Sequence, residues 1–489
     1  MVLRLVPPWI KLVLLLLWIS STHSACASTV VVYPAPAGAA LNDTFSVAVR
    51  VPGGEWQKLD VYAVRVDLHT LSQASFAYFD FSGSMEVRVT HNKVHVEQAE
   101  IRPDSYHIYP QTSKLLADSF TFTLDRPRNM SIEVNGDRLH NLHLFANPIE
   151  TGVPSPADTN VIYFGPGFYA PDPVTHRRII HVGPGKTVYL AGGSVVQGVI
   201  VTDVGATNVV IRGRGILDTS LWNDPKGVHV NGQDWQTPSI SLRRATNVLV
   251  EGIILKQHVD FAVLGGESDR VSIDNLKSFS SQEWGDGIDM KASRHIKIRN
   301  CFLRTSDDCV AVYGSRGEYH GGASDWDVAD SVLWADKAHA VMIGIHGAYQ
   351  ADGDLIENLR FHNLDVLEEC EFSTNFWGAL SITCGDKNTV RNVDFDDIRV
   401  EHIREAGGYL IGLAFGCFPP STTLGRMIEN IHFKNITYTG KAALFICGKA
   451  GHPINGVTFD NLVINGERIT NAQPANIIIG ENVTGVSFN

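Results

Sequence analysis

The chain has 489 residues, a formal net charge of −12 and only 19% charged residues. It is too long for one ordinary domain but suits a small domain followed by a repeat array. The acidic balance, without a basic run, argues against nucleic-acid binding, and an acidic polymer would need a local basic cluster.

The N-terminus has the pattern of a signal peptide. Basic residues flank the apolar stretch 12–19, and small residues follow it, so residues 1–27 are predicted to be a leader cleaved after Ala25 or Ala27. The apolar run is too short to span a bilayer comfortably, and no later segment reads as transmembrane. We therefore expect a secreted, extracellular protein without a membrane partner after cleavage. A lipid anchor on Cys26 and an uncleaved anchor are the alternatives.

Two further sequence patterns are informative for a secreted protein. Four triplets are N-glycosylation candidates if the source is eukaryotic, and they begin at Asn42, Asn129, Asn435 and Asn482. Six cysteines after the leader permit disulfides of unknown pairing, or buried thiols stacked in a core: Cys301, Cys309, Cys370, Cys384, Cys417 and Cys447. None forms a CxxC pair, so no zinc site is expected, and no metal or cofactor is predicted.

Residues 28–150 alternate apolar and polar side chains at a period of two. The clearest runs are 45–51, 60–66, 85–89 and 120–124, and they are separated by Gly, Pro, Asn and Asp. This pattern predicts an antiparallel β-sandwich domain. We expect that domain to cap the N-terminal end of whatever follows it.

From about residue 161 a different pattern recurs, which predicts a right-handed parallel β-helix over 151–489 and an all-β protein. Each copy is a short apolar-x-apolar strand that ends on Asn, Asp or Gly. Such an Asn tolerates left-handed backbone and can form a hydrogen-bonded ladder at one corner of successive coils. The copies are 208–213, 247–252, 270–275, 295–300, 356–363, 390–396, 428–435 and 454–461.

Two acidic clusters lie one coil apart. Asp286 belongs to Gly-Asp-Gly-Ile-Asp at 285–289, and Asp307 and Asp308 belong to Ser-Asp-Asp-Cys at 306–309. The interval (307 − 286 = 21) is about one coil, and adjacent strands stack roughly 4.8 Å apart, so these side chains should lie together. Consecutive residues on a flat strand face opposite ways, so Asp307 and Asp308 share a groove only if the chain bends there.

Three crowded carboxylates repel one another, so one of them must keep its proton at working pH. Glycoside hydrolysis uses such a set: a protonated carboxyl donates to the leaving oxygen while carboxylates activate water. Asp is also common at β-helix corners as a turn or ladder residue. The one-coil spacing favours the chemical interpretation.

The segment 285–312 resembles glycoside hydrolase family 28, the polygalacturonases, which carry Asn-Thr-Asp-Gly and then Gly-Asp-Asp-Cys at this spacing. The related dextranases and isopullulanase also join a β-sandwich to such a helix. The resemblance covers about residues 185–470. It implies an inverting hydrolase of a pectin or polygalacturonan polysaccharide, acting in cell-wall metabolism. Asp307 would be the general acid, and Asp286 with Asp308 would hold the attacking water.

Three family elements are altered here, and the first is the Asn-Thr before Asp286, which is Trp284-Gly285 in this chain. Gly-His-Gly corresponds to Ala-His-Ala at 338–340, so His339 would tune the acid, with His346 as the alternative match and substrate-binding candidate. Arg-Ile-Lys, which binds the substrate carboxylate, corresponds to Leu-Ser-Ile-Thr at 380–383 without a basic residue in register. Lys387 lies nearby but out of phase. Losing this pair keeps a neutral α-glucan open as the alternative substrate.

Further substrate contacts are expected from relocated cations and from aromatic platforms. The candidate cations are Arg304, Arg316 and Arg391. Aromatic rings stack on sugar faces or pack in cores; Trp284 and Tyr313 are the predicted substrate-binding rings, and the other candidates are Tyr319, Trp326, Trp334 and Trp377.

Two rival functions remain. In a β-helical lyase the aspartates, including Asp289, would bind Ca²⁺. In a non-catalytic adhesin or carbohydrate-binding protein they would be structural. The expected partner is a polysaccharide, and the expected state is a monomer.

Overall fold

The computed structural model describes residues 28–489 except 113–117, 172–177, 221–237, 372–377, 405–407, 420–421 and 475. The predicted leader and Trp377 lie outside this part of the chain. Within it, no helix has the length and apolar character needed to cross a membrane.

The N-terminal part forms two sheets around a shared apolar core. One sheet has the order β1-β5-β11-β10-β7, with β4 on β5, and the other has the order β3-β2-β6-β9-β8. A short 3-10 helix spans Asp104–Tyr106. The strands are β1 (Thr29–Val32), β2 (Phe45–Arg50), β3 (Gln57–Leu59), β4 (Tyr62–Val66), β5 (Ser72–Ser82), β6 (Met85–His91), β7 (Ala99–Arg102), β8 (Gln111–Thr112), β9 (Ser119–Leu124), β10 (Arg128–Val134) and β11 (Asp137–Pro148).

The period-two pattern explains these sheets. Along β2 and β6, buried residues alternate with partly exposed ones, so one face of each strand enters the core. The predicted sandwich is therefore present. The β5–β11 pair is parallel, in an otherwise antiparallel arrangement.

The rest of the chain is a right-handed parallel β-helix, and its first strand begins at Val161. The strands are β12 (Val161–Phe164), β13 (Gly167–Tyr169), β14 (Ile179–Val182), β15 (Thr187–Leu190), β16 (Ser194–Gln197), β17 (Val199–Thr202), β18 (Thr207–Gly213), β19 (Ile216–Asp218), β20 (Ile240–Arg243), β21 (Thr246–Glu251), β22 (Ile254–Lys256), β23 (Phe261–Gly266), β24 (Asp269–Asp274), β25 (Lys277–Phe279), β26 (Asp286–Lys291), β27 (Arg294–Arg299), β28 (Phe302–Thr305), β29 (Val310–Tyr313), β30 (Ala323–Ala335), β31 (Val341–Ile343), β32 (Leu355–Glu368), β33 (Leu380–Cys384), β34 (Thr389–Val400), β35 (Tyr409–Phe415), β36 (Met427–Tyr438), β37 (Ala443–Ile446), β38 (Ile454–Ile464), β39 (Glu467–Arg468), β40 (Ile477–Ile479) and β41 (Val483–Phe488).

Each coil contributes strands to two large sheets. The eleven-stranded sheet runs β14-β17-β20-β23-β26-β29-β31-β33-β35-β37-β40. In the early coils, each coil contributes two short strands to the other sheet, one on each of two faces of the helix. From β30 onward, a single long, bent strand runs along both faces, since β30 pairs with β27 and with β28. Aliphatic side chains fill the interior, and a row of stacked phenylalanines continues it: Phe361, Phe395, Phe433, Phe459 and Phe488.

The asparagine ladder predicted at the ends of the repeated runs is confirmed at Asn435 and Asn461, where φ is 53° and 60° and the Asn461 amide donates to Asn435 at 2.9 Å. A second ladder, which was not predicted, lies at the third residue of three runs. Asn358, Asn392 and Asn430 all have φ between 54° and 58°. The Asn392 amide donates to Asn358 at 3.2 Å, and the Asn430 amide donates to Asn392 at 3.3 Å. The ladder therefore pairs side-chain groups at a corner where the backbone must adopt a left-handed conformation.

The expected position of the sandwich was wrong. It does not cap the end of the helix but lies along its side, where Phe76 and Phe145 pack on outward-facing residues of successive coils, such as Phe279 and Phe302. Those coils carry apolar side chains on their outer face, and the lateral contact removes these side chains from water. Polar groups join the same interface: Arg304, fully buried, donates to Asn141 at 3.0 Å.

Cys301, Cys309 and Cys384 are buried free thiols, and Cys417 and Cys447 are more exposed free thiols. Among the glycosylation candidates, Asn129 is 9% exposed, and its amide donates to the Asn300 carbonyl at 2.8 Å. A glycan on Asn129 would break that contact, so the structure disfavours this site.

Candidate active site

The three aspartates meet at the N-terminal ends of β26 and β29, two neighbouring strands of the eleven-stranded sheet. Asp286 begins β26, and Asp307 and Asp308 occupy the turn between β28 and β29. One carboxylate oxygen from each lies within 4.8 Å of the others. This turn is the bend that Asp307 and Asp308 were predicted to need in order to face the same groove.

Two glycines let the coils approach closely here. The amide of Gly287 donates to the carbonyl of Asp308 at 2.8 Å, and that of Ser306 donates to the carbonyl of Gly285 at 3.2 Å. A Cβ on Gly287 would lie 2.3 Å from the Cys309 carbonyl oxygen, and one on Gly285 would lie 1.9 Å from Ser280 Oγ. The Gly-Asp-Gly sequence therefore holds Asp286 against the next coil.

His339 and Tyr313 hold Asp308 in place. The Nδ1 atom of His339 lies 2.6 Å from Asp308 Oδ1, and the His339 amide donates to the same oxygen at 3.2 Å. The Tyr313 hydroxyl donates to Asp308 Oδ2 at 3.2 Å. Both oxygens of Asp308 are thus fixed by groups from the coils of β29 and β31.

The environment separates the protonation states of these groups. Burial and then the charge of Asp308 raise the pKa of Asp307 to about 7. Burial lowers the pKa of His339, but its contact with Asp308 outweighs burial, and the pKa is raised to about 9. Near neutral pH, Asp307 can therefore carry a proton beside an Asp308–imidazolium pair.

A fourth carboxyl, Asp289, also belongs to the cluster. It is fully buried, and burial raises its pKa to about 7. Burial and neighbouring carboxylates, Asp289 foremost, hold the pKa of Asp286 well above its usual value. The sequence analysis gave Asp289 a functional role only in the alternative of a calcium-dependent lyase.

An aromatic wall borders the cluster. Trp284 is 50% exposed, and its ring centre lies 6.4 Å from that of Phe418. Phe418 also lies 6.0 Å from the ring of His346, which meets Tyr313 edge-on at 5.0 Å. The predicted Trp284, Tyr313 and His346 are thus brought together. Phe418 was missed because it lies in a loop after β35, 134 residues after Trp284 (418 − 284 = 134).

Three of the other predicted aromatic residues, Trp326, Trp334 and Tyr319, are buried and do not form platforms. Trp326 packs in the helix core, and Trp334 packs in the interface with the sandwich. Tyr319 is 6% exposed and covers Gly266. Their apolar surface is already buried by the protein itself.

Of the basic candidates, the structure brings Arg316 to the site. Lys387 donates to the Ala351 carbonyl at 2.8 Å, and no described contact joins it to the aspartates. Arg304 is bound to Asp336, and Arg391 to Glu357. The guanidinium of Arg316 lies 5.3 Å from the centre of the Tyr313 ring. Lys291, which the sequence reasoning did not select, lies on β26 with Asp286.

Asp286, Asp307 and Asp308 are close enough to hold a metal ion. Ca²⁺ prefers six to eight oxygen ligands, and Mg²⁺ retains several waters beside one or two carboxylates. The hydrogen bonds of Asp308 to His339 and Tyr313 already occupy oxygen lone pairs that a cation would need.

Comparisons with known proteins agree with this geometry. The family model for glycosyl hydrolases family 28 matches residues 186–482. A probable endopolygalacturonase D from Neosartorya fischeri is 24% identical over 305 residues, 56% of each chain. A polygalacturonase from Fusarium fujikuroi is 22% identical over 304 residues, 56% of this chain and 72% of the relative. The match thus spans little more than half the length of the first of these relatives.

A solved structure shares the fold over nearly the whole chain. Dex49A from Penicillium minioluteum superposes with a TM-score of 0.61, covers 93% of this chain and 96% of its own, and is 14% identical. At this identity the likeness establishes the architecture alone.

Proposed function

Since this chain belongs to family 28 of the glycosyl hydrolases, we propose that it is a secreted, inverting hydrolase of a pectin or polygalacturonan polysaccharide. The observation that carries the proposal is the cluster of Asp286, Asp307 and Asp308 within 4.8 Å, in which burial raises the pKa of Asp307 to about 7. A protonated and an ionised carboxyl side by side are what glycosidic cleavage requires.

Asp307 is the proposed general acid. Its proton passes to the glycosidic oxygen as the bond from the anomeric carbon to that oxygen breaks. The charges of Lys337 and His339 oppose the rise in its pKa, so the proton is held but can still be released near neutrality. Because the acid must donate and later regain one proton, a pKa near the working pH serves both steps.

Asp286 and Asp308 are the proposed holders of the attacking water. Two hydrogen bonds of about 2.8 Å let one water bridge oxygens that lie 4.8 Å apart or less. Asp308 is fixed by His339 and Tyr313, so it can accept the water's proton without moving. The water's oxygen forms the new bond to the anomeric carbon, which inverts its configuration.

The carboxyl spacing makes stereochemistry a decisive measurement. Inverting glycosidases usually separate their carboxyl groups by about 6.5–9.5 Å, and retaining ones by about 5–5.5 Å. The short spacing here, at most 4.8 Å between nearest oxygens, resembles the retaining distance, whereas the bridged-water geometry supports inversion. Proton NMR during the initial turnover identifies the first anomer formed. A first product with the same anomeric configuration as the substrate would overturn the inverting proposal.

The activity is tested with purified polysaccharides, comparing wild type and Asp307→Asn. The panel contains polygalacturonate, rhamnogalacturonan, dextran and pullulan, with reducing ends as the readout. We expect release from a pectic polymer by wild type alone. Release only from dextran or pullulan would move the substrate to the neutral glucans, and equal activity of Asp307→Asn would overturn the three-aspartate mechanism.

Secretion is supported by the leader pattern over residues 1–27. The mass of the protein recovered from culture medium tests it: we expect a mature chain that begins after Ala25 or Ala27. Recovery of the full-length chain from cells alone would contradict it.

A further inference from the structure

Two basic side chains, Lys291 and Arg316, stand beside the aspartates. Lys291 ends the strand that Asp286 begins, and it is only 5% exposed. Its ammonium lies 4.9 Å from the centre of the Phe261 ring. Within the described part of the chain, no carboxylate oxygen lies within the 4.0 Å of an ion pair from Lys291 or Arg316. Buried charges in proteins are normally paired, so this arrangement needs an explanation.

Both cations adjoin the tyrosine that contacts Asp308. Lys291 is the register partner of Tyr313 on the neighbouring strand. Arg316 lies just after β29, the strand that ends at Tyr313, and its guanidinium lies 5.3 Å from the centre of the Tyr313 ring. The hydroxyl of Tyr313 is 3.2 Å from Asp308. The two positive groups are therefore one side chain away from the proposed reaction centre.

The charges of both cations act on the cluster: burial raises the pKa of Asp289, and the charges of Lys291 and Arg316 oppose that rise. Burial and then the charge of Arg316 lower the pKa of Lys291 to about 8. The carboxylates that oppose this effect are Asp289, Asp286 and Asp260, none of them within ion-pair distance of Lys291. Two neighbouring cations repel, and an anion bound between them would relieve both the repulsion and the loss of hydration.

His346 supplies a neutral group at the same place. Its ring meets Tyr313 at 5.0 Å, and burial followed by the charges of Arg316 and Lys291 holds its pKa well below the usual value. A neutral imidazole can donate one hydrogen bond without adding a further charge. The three nitrogen-bearing side chains thus all adjoin Tyr313.

We propose that Lys291 and Arg316 form an anion subsite, with His346 as a neutral donor, that binds a carboxylate of the sugar chain beside the cleaved bond. The inference rests on the proposed hydrolase function and specifies its substrate as a uronate polymer. Arg316 offers a planar fork for a carboxylate, and Lys291 offers a point charge. Cations from the coils of β26 and β29 thereby replace the basic residues missing at 380–383.

Binding separates this inference from the hydrolase proposal. Calorimetry would use Asp307→Asn as the parent, with trigalacturonate, its methyl ester and isomaltotriose as ligands. Adding Arg316→Gln or Lys291→Met should weaken trigalacturonate binding roughly tenfold or more, the worth of one charge-assisted hydrogen bond. Binding of the methyl ester should stay unchanged, because the ester carries no charge. Lys291→Met keeps the side-chain stem against Phe261, and Arg391→Gln is the matched control for loss of a surface arginine.

The outcomes are distinct. Unchanged trigalacturonate binding, or equal weakening of acid and ester, would overturn the anion subsite. Binding of isomaltotriose but of neither uronate form would also overturn it, while leaving a glucan hydrolase intact. If wild type cleaves no polysaccharide but its trigalacturonate binding depends on Arg316 and Lys291, the subsite stands and the hydrolase proposal fails.

Discussion

His339 Nδ1 and Asp308 Oδ1 lie 2.6 Å apart although 31 residues separate them in the chain. The β-helix makes this contact, because the coils that carry them are neighbours: β29 pairs with β31. The contact outweighs burial and raises the pKa of His339 to about 9, so the imidazole is a cation at neutral pH. That cation fixes Asp308 and opposes the rise in the pKa of Asp307.

Replacing His339 should impair turnover more than binding. We expect His339→Asn to lower kcat by roughly tenfold to a hundredfold, the worth of one charge-assisted hydrogen bond, with KM nearly unchanged. Steady-state kinetics measure both constants. His432→Asn, at an exposed position of β36, is the control. A large rise in KM at constant kcat would mean that His339 binds substrate instead.

The pH profile should have an alkaline limb near 7. Asp307 acts only when protonated, so activity is present below its pKa of about 7 and falls as pH rises through that value. Lys337 lowers the pKa of Asp307, so Lys337→Gln should move this limb to higher pH, whereas Lys337→Arg should leave it in place. Profiles of kcat/KM against pH test this, because they report the pKa values of the free enzyme. A shift to lower pH in Lys337→Gln would contradict the assignment of Asp307 as the acid.

Trp284 should contribute to substrate affinity. It is 50% exposed at the edge of the cluster, where a sugar ring can stack on it. Trp284→Ala should raise KM by a few-fold to about tenfold, as expected for the loss of one aromatic contact. Tyr109→Ala removes an aromatic residue that is 72% exposed on the sandwich and should leave KM unchanged. Equal effects of the two changes would argue against a platform at Trp284.

The buried ion pair at the sandwich interface should govern stability. Arg304 and Asp336 are both fully buried, with Nε and Oδ2 2.9 Å apart. Asp336→Ala leaves the guanidinium without that partner and should cost about 3–5 kcal/mol in the free energy of unfolding. Urea denaturation measures it. Glu357→Ala breaks the partly exposed pair with Arg391 and should cost at most about 1 kcal/mol. Similar losses in both variants would show that burial does not distinguish these pairs.

Chelation distinguishes the hydrolase from the lyase alternative. We expect EDTA to leave activity unchanged and the products to lack ultraviolet-absorbing unsaturated ends, because water attack does not form a double bond. Loss of activity with EDTA, restored by Ca²⁺, together with unsaturated products, would assign Asp286, Asp307 and Asp308 to a metal site.

The repeat pattern explains why much of this structure could be anticipated. Each strand that ends on asparagine, such as 428–435, carries its own turn signal, so the coils could be located without knowing what they pack against. Asp286 and Asp307 could be paired for the same reason, since one coil of sequence is one strand spacing in space. Periodicity does not show which outer face is covered, and the lateral position of the sandwich was therefore missed.

Loops of unequal length limited the prediction of the site. Phe418 reaches Trp284 from a distant coil, and no local pattern marks a residue that folds back across several strands. In the sequence, Lys291 is not distinguished from other strand residues by any motif, and it lies two positions after Asp289. Its importance comes from burial and from the absence of an ion-pair partner in the described structure, neither of which a sequence displays.

The sequence by itself determined the β-sandwich and β-helix architecture and the one-coil spacing of Asp286 and Asp307, because both follow from periods that the backbone converts directly into positions. The tertiary structure alone decided which carboxyl keeps its proton, which cations face the cluster and where the sandwich lies. Those properties depend on burial and on contacts between residues far apart in the chain, which arise only when the coils and their loops are packed together.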